Sequence, residues 1–158
     1  MNHYEKLVDF CHNVGIGVIE KNFKSHAKGL CKGNKIGISK RIESSVEKRC
    51  VLAEEIMHSF YTSGDILDQS NIQNRKQEIY ARQQAYEALL PLSLFVAAYN
   101  NGARESYEIA DYLEVTEEFL HGAIEYYKRK HGTSAVVRGT YVIKFSPFMI
   151  CETHHITA

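Results

Sequence analysis

Residues 50–61 read Cys-Val-Leu-Ala-Glu-Glu-Ile-Met-His-Ser-Phe-Tyr, and the arrangement of apolar side chains in this segment predicts a helix. One stripe of apolar residues recurs at helical spacing and is widened by its neighbours: Val46, Cys50, Ala53 and Met57, with Leu52, Ile56 and Phe60. Just upstream, Ser44 and Glu47 have the spacing of a helix-capping box. We therefore predict a largely buried helix over residues 45–60 that ends before Gly64.

The segments on either side of this helix predict an α+β fold that is mainly helical. A short amphipathic helix over residues 4–11 and a strand over 16–19 come first. Residues 28–31 and 35–39 flank Gly33-Asn34, a pair suited to a tight hairpin turn, so a small antiparallel sheet is expected. The remaining predicted elements are helices over 76–90, 92–100, 107–113 and 117–130 and a terminal hairpin of 135–137 with 141–145.

Composition limits the classes of function. The chain has 158 residues, of which 44% are hydrophobic and 24% charged, which is typical of a folded globular domain. Lysine and arginine number 19 and so do aspartate and glutamate, which leaves no excess charge for generic nucleic-acid binding. The four cysteines are scattered, and neither a secretory signal nor a membrane-spanning run is found. We expect a cytoplasmic protein with no membrane partner.

Three polar residues in the central helix suggest metal chemistry. Glu54 and His58 are four residues apart, which places both side chains on one helix face within reach of a single ion. Between them, Glu55 has the position of the glutamate that accepts a proton from water in zinc proteases. The usual motif is His-Glu-x-x-His, and here Glu54 replaces the first His. Taken alone, the pattern favours the ordinary interpretation, a solvated helix face that carries one histidine.

The order and joint spacing of several motifs resemble the ImmA/IrrE family of metallopeptidases, in the branch found in phages and mobile elements. Leu52-Ala53 precedes the Glu54-Glu55-x-x-His58 motif, and a second helix carries a glutamate near its start, small residues and a terminal Leu-Leu-Pro. The matching positions in that second helix are Glu78, Ala81, Ala85, Leu89, Leu90 and Pro91. The resemblance covers nearly the whole chain, but residues 151–158 match nothing in it.

This resemblance implies a zincin-like metallopeptidase core with one zinc ion. Glu54, His58 and Glu78 become the metal ligands and Glu55 the catalytic base. The implied domains are a core over residues 1–91, a helical, helix-turn-helix-like substrate-docking region over 92–132, and a C-terminal hairpin and tail over 133–158. The implied activity is cleavage of a phage or mobile-element transcriptional repressor, usually a helix-turn-helix protein encoded nearby.

Several alternatives remain open from the residues themselves. Two carboxylates and one imidazole neutralise a divalent cation more fully than two imidazoles and one carboxylate, which would make a bound water less acidic. A non-catalytic regulator, stabilised by metal and binding a protein partner or DNA, is therefore the alternative function. The alternative to a ligand role for Glu78 is that of an acidic residue near a helix N-terminus, where the helix dipole favours negative charge. Asp65 and Asp68 are rival ligands whose other role is turn chemistry.

The remaining candidates carry less of the argument. Tyr61 follows the motif directly and is a candidate transition-state stabiliser. The adjacent His154 and His155 lie at the chain end and are not assigned as ligands. The spacing of apolar residues in 106–127 is typical of a helix-turn-helix. Its second helix, however, would begin with Glu117-Glu118, which DNA phosphates repel. We therefore predict a packing or protein-docking role for this region.

Overall fold

The computed structural model describes residues 1–61 and 72–153, which belong to two compact units, Met1–Ala85 and Tyr86–Ala158. The expected α+β, mainly helical fold class is confirmed by the elements of both units. Five residues named from the sequence lie outside the described residues: Gly64, Asp65, Asp68, His154 and His155.

The described residues of the first unit form three helices and one sheet. Its elements are α1 (His3–Asn13), β1 (Gly17–Lys21), β2 (Gly29–Lys32), β3 (Lys35–Ser39), α2 (Ser45–Tyr61) and most of α3 (Ile72–Leu89). Helix α1 begins at a capping box, because Asn2 Oδ1 accepts from Glu5 N at 2.8 Å and Glu5 Oε2 accepts from Asn2 N at 2.9 Å. Helix α3 begins at Ile72, four residues before its predicted start at Lys76.

The sheet of the first unit has the strand order β1-β3-β2. Strands β2 and β3 form the predicted antiparallel hairpin, and Gly33 supplies the positive φ of 62° in its turn. Strand β1 pairs with β3 in parallel, with Val18 opposite Ile36, so the sheet is mixed rather than purely antiparallel. Since β3 lies in the centre, β2 is an edge strand.

Helix α2 packs its apolar stripe on this sheet and on α1. Leu52 and Ile56 are buried in one core with Ile36 and Ile38 of β3 and Cys11 of α1. At the helix start, Ser44 Oγ accepts from Glu47 N at 3.2 Å, as the capping spacing predicts. The Glu47 carboxylate pairs with Lys28 Nζ at 2.6 Å. The core therefore fixes the rotation of α2, and with it the direction of Glu54, Glu55 and His58.

The second unit continues with helices and a second sheet. Its complete elements are α4 (Leu92–Asn100), α5 (Ser106–Leu113), α6 (Glu117–His131), β4 (Ser134–Val137), β5 (Tyr141–Phe145) and β6 (Phe148–Glu152). The sheet is antiparallel in the order β4-β5-β6, so the predicted terminal hairpin has a third strand that the sequence reading missed. A buried hydrogen bond of 2.8 Å runs from Tyr127 Oη to Leu90 O. None of the helices in the described part of the chain is both long and apolar enough to cross a bilayer.

Candidate active site

Helix α2 brings one predicted ligand into contact with another on α3. His58 is 97% buried, and its Nε2 lies 3.1 Å from Glu78 Oε2. Four residues earlier on the same face of α2, Glu54 Oε1 accepts from Arg82 Nε at 3.2 Å. Because 58 pairs with 78 and 54 with 82, α2 and α3 run antiparallel where they meet. The structure therefore places Glu54, His58 and Glu78 along one seam between two helices.

Glu55 lies beside this seam in a dehydrated setting. Burial raises the pKa of its carboxyl from 4.5 to about 7, with the charges of Glu78 and Glu54 adding to the rise and His58 opposing it. A carboxyl with such a pKa is ionised in part of the molecules near neutral pH, so it can both accept and return a proton. This property suits the general base that the motif assigns to this position.

The pair formed by His58 and Glu78 is strongly coupled. Burial disfavours the imidazolium of His58, yet the hydrogen bond to Glu78 and the charges of Glu55, Glu78 and Glu54 raise its pKa overall. The same hydrogen bond holds the pKa of Glu78 below its usual value, against the effect of burial. Both directions have one physical cause, the contact between the His58 imidazole and the Glu78 carboxylate, which favours the charged form of each group.

Burial also raises the pKa of Glu54, although the guanidinium of Arg82 opposes the change. Glu78 adds a repulsive carboxylate charge that raises the pKa further. Three carboxylates thus share a partly buried site with one imidazole and one guanidinium. An additional cation at this site would lower the free energy of ionising the carboxylates.

Strand β2 forms a wall against Glu55. A Cβ atom added at Gly29 would lie 2.7 Å from Val51 Cγ1, 2.9 Å from Glu55 Cγ and 3.1 Å from Glu55 Oε1. Two residues along, burial raises the pKa of the Cys31 thiol to about 11, and the Glu55 carboxylate contributes to the rise. Glycine in a strand often marks such a close approach. The inner face of β2 therefore limits the space in which the Glu55 carboxylate can move.

Tyr61 lies at the end of α2 in a small aromatic cluster. Its ring is 5.5 Å from that of Tyr80 and 6.3 Å from that of Phe60, both in edge-to-face geometry. The Tyr61 side chain is 52% exposed. Its assignment as a transition-state stabiliser stays a prediction.

The donor set fits a divalent ion in its chemistry, and two of its members are already close. Ligands of a tetrahedral zinc ion are about 3.3 Å apart, which the 3.1 Å between His58 Nε2 and Glu78 Oε2 approaches. Glu54 is engaged by Arg82 instead. Within residues 1–61 and 72–153, no group of three or more His, Cys, Asp or Glu side chains is arranged as a complete ligand set. Binding of the ion would therefore require Glu54 to turn toward His58.

Arg82 is the residue of the site that the sequence reading missed. The sequence did contain a signal for this contact. Glu54 and His58 are four residues apart on α2, and their partners Arg82 and Glu78 are also four residues apart on α3. On the sequence alone, Glu78 and Arg82 look like an ordinary pair within one helix. In the structure each contacts a different residue of α2.

Comparison with known proteins gives one match. A family model described as Peptidase M78, IrrE N-terminal-like domain, matches residues 11–125, which is well over half of the chain. The matched range contains all of α2 and α3 and therefore every residue of the site. Searches of curated proteins and of solved structures give no significant match.

Proposed function

The chain belongs to the Peptidase M78 family through its IrrE N-terminal-like domain, and on that premise we propose that it is a zinc-dependent endopeptidase that cleaves a transcriptional repressor. Family membership supports a metallopeptidase-type function in general. The observation that carries the specific proposal is the seam between α2 and α3, where His58 Nε2 lies 3.1 Å from Glu78 Oε2 and the half-buried Glu55 lies alongside. Glu54 completes the proposed ligand set.

The proposed roles follow from the chemistry of each side chain. Glu54, His58 and Glu78 would hold one zinc ion. A zinc ion held there would polarise the scissile carbonyl and lower the pKa of a water molecule. Binding requires His58 to lose its proton, because an imidazole ligand is neutral. Protonation of His58 would therefore compete with zinc binding.

Glu55 would act on the water and then on the leaving group. With a pKa of about 7, its carboxylate can take a proton from the attacking water and afterwards give it to the amine of the cleaved peptide bond. The close approach of Gly29 in β2 limits the movement of the Glu55 side chain on that side. A restricted base loses less entropy on reaching the reactive geometry.

The substrate part of the proposal rests on the family resemblance. We propose that the substrate is a phage or mobile-element repressor that contains a helix-turn-helix and is encoded beside this chain. We further propose that it docks on the helical region over residues 92–132. Such a substrate implies a cytoplasmic protein. Helix α6 begins with Glu117 and Glu118 behind the Thr116 N-cap, and this acidic end argues against nucleic acid as the partner.

One observation favours the alternative of a non-catalytic regulator. Glu54 stands where the common motif has histidine, and its carboxylate is paired with Arg82. If this ion pair persisted in the presence of zinc, His58 and Glu78 alone would form a weaker site. The two functions differ in whether a peptide bond is cut.

The test uses purified full-length chain, loaded with zinc, and the repressor encoded beside its gene. Intact-mass spectrometry should show a single cut with the wild type and no cut with Glu55→Gln, because glutamine cannot accept a proton. The control is Glu47→Gln, the same change at a half-buried position in the first turn of α2, which should cleave normally. Cleavage by Glu55→Gln at the wild-type rate, or binding of the repressor by the wild type without any cut, would refute the protease.

A further inference from the structure

Helix α5 of the second unit leaves one side open to solvent. Its buried side is formed by Ile109, Ala110 and Leu113, and the helix packs against α4 and α6. On the opposite side, the side chains of Tyr107 and Tyr112 are 57% and 44% exposed. Tyrosine is enriched at protein interfaces, because its ring buries a large area there while its hydroxyl can find a partner. The open side of α5 therefore has the aromatic content of an interface.

Two acidic side chains lie between these tyrosines around the helix. Asp111 is exposed and follows Tyr107 by four residues, which makes the two side chains neighbours on the helix surface. Glu108 precedes Tyr112 by four residues and is its neighbour in the same way. Glu108 is also held in place, because its Oε1 accepts from Glu105 N at 3.1 Å. The open side of α5 therefore presents the order tyrosine, acid, acid, tyrosine.

The charges around this open side all have one sign. Residues 105–127 contain seven acidic residues and no lysine or arginine, although the whole chain has 19 residues of each sign. The seven are Glu105, Glu108, Asp111, Glu114, Glu117, Glu118 and Glu125. A one-signed surface on a neutral chain repels phosphates and attracts a cationic partner.

We propose that the open side of α5, together with the first turn of α6, is a docking surface for an arginine-rich protein face, namely the face with which the repressor binds DNA. The inference rests on the proposed function for the identity of this partner. It does not require that a peptide bond is cut. A guanidinium can stack on an aromatic ring and also donate two hydrogen bonds to a carboxylate. Each tyrosine of α5 with its acidic neighbour offers both contacts.

This partner chemistry makes docking and DNA binding mutually exclusive. A DNA-binding face contacts phosphates and guanine edges largely through arginine and lysine side chains. The acidic residues of α5 and α6 would occupy the same side chains. A repressor bound to DNA should therefore not bind this chain, whereas free repressor should.

The experiment titrates the repressor encoded beside this chain into full-length Glu55→Gln protein, which keeps the repressor intact, and measures the dissociation constant by calorimetry. Tyr107→Leu and Tyr112→Leu, each added to this parent, should weaken binding roughly tenfold, because the stacking ring is lost while apolar bulk remains. Tyr107→Phe keeps the ring and should stay near the parent. With repressor first saturated with duplex DNA from the region upstream of its own gene, binding should be lost.

A second set of variants tests the charge and provides the controls. Asp111→Asn removes one charge at constant size and should weaken binding roughly fivefold at low salt. Asp9→Asn and Phe10→Leu are the matched controls, since both residues are exposed on α1 in the first unit. Their affinities should equal that of the parent. Circular dichroism of each variant confirms that the fold is retained.

The outcomes separate this inference from the proposed function. The inference is wrong if the repressor does not bind, if Tyr107→Leu, Tyr112→Leu and Asp111→Asn all bind like the parent, or if DNA-bound repressor binds equally well. Cleavage of the repressor by the wild type would still support the peptidase in each of these cases. Analytical ultracentrifugation of the chain alone should show a monomer, and a dimer that Tyr107→Leu dissociates would assign the surface to a second copy instead. The expected affinities with no cut in the repressor would support the inference and refute the peptidase.

Discussion

Replacement of Glu55 by glutamine should stabilise the metal-free protein, and the gain should depend on pH. The folded-state pKa of this carboxyl is about 7, against 4.5 for an unperturbed glutamate. As pH rises through this window, the unfolded chain releases the proton while the folded chain retains it. The folded state therefore loses stability as pH rises from 4.5 to about 7, and above that range the loss is about 3 kcal/mol.

Urea denaturation in the presence of a metal chelator, followed by circular dichroism, measures this effect. The free energy of unfolding of Glu55→Gln should equal that of the wild type near pH 4.5 and exceed it by about 3 kcal/mol at about pH 8. Glu47→Gln is the matched control on α2. It removes a surface ion pair with Lys28, so it should be neutral or slightly destabilising. Equal stability of Glu55→Gln and the wild type at every pH would show that Glu55 is not dehydrated as described.

Three further predictions concern the wall of the site, the second unit and its partners. Gly29→Ala should lower repressor cleavage roughly a hundredfold by displacing Glu55. Gly37→Ala, whose Cβ would lie nearest to the side chains of Phe23 and Lys21, should cleave normally, and equal losses in the two variants would mean general damage to the sheet. Tyr127→Phe should reduce the free energy of unfolding, measured by urea denaturation, by about 1–3 kcal/mol, because it leaves the buried carbonyl of Leu90 without its hydrogen-bond donor. An unchanged free energy of unfolding would contradict this prediction. Fluorescence anisotropy should detect negligible binding of random duplex DNA at low salt, and micromolar binding with a steep salt dependence would assign DNA to the α5–α6 region instead.

The sequence predicted best what depends on local periodicity. The apolar stripe of α2 and the Gly33-Asn34 turn both correspond to observed elements, since each is encoded within a few neighbouring residues. The same periodicity fixed which face of α2 carries Glu54 and His58. The contact of His58 with Glu78 was expected only from the family resemblance, because no local rule relates residues 20 positions apart.

The features that were missed depend on long-range pairing. Residues 16–19 were predicted as a strand, but nothing in them specifies a parallel partner, so the position of β1 beside β3 came only from the structure. Strand β6 begins directly after a short turn and was not separated from the tail. Arg82 was overlooked because its partner, Glu54, lies on another helix. In each case the deciding interaction joins segments that the sequence presents separately.

Assignment of α2 and α3 as a metal centre is tested most directly by counting zinc. Elemental analysis of zinc-reloaded, desalted full-length protein should find about one ion per chain in the wild type and in Glu55→Gln. His58→Ala and Glu78→Ala should each lose the ion, because each removes one of the two ligands that lie 3.1 Å apart. A wild type without stoichiometric zinc, or zinc retained in full by both His58→Ala and Glu78→Ala, would contradict the account.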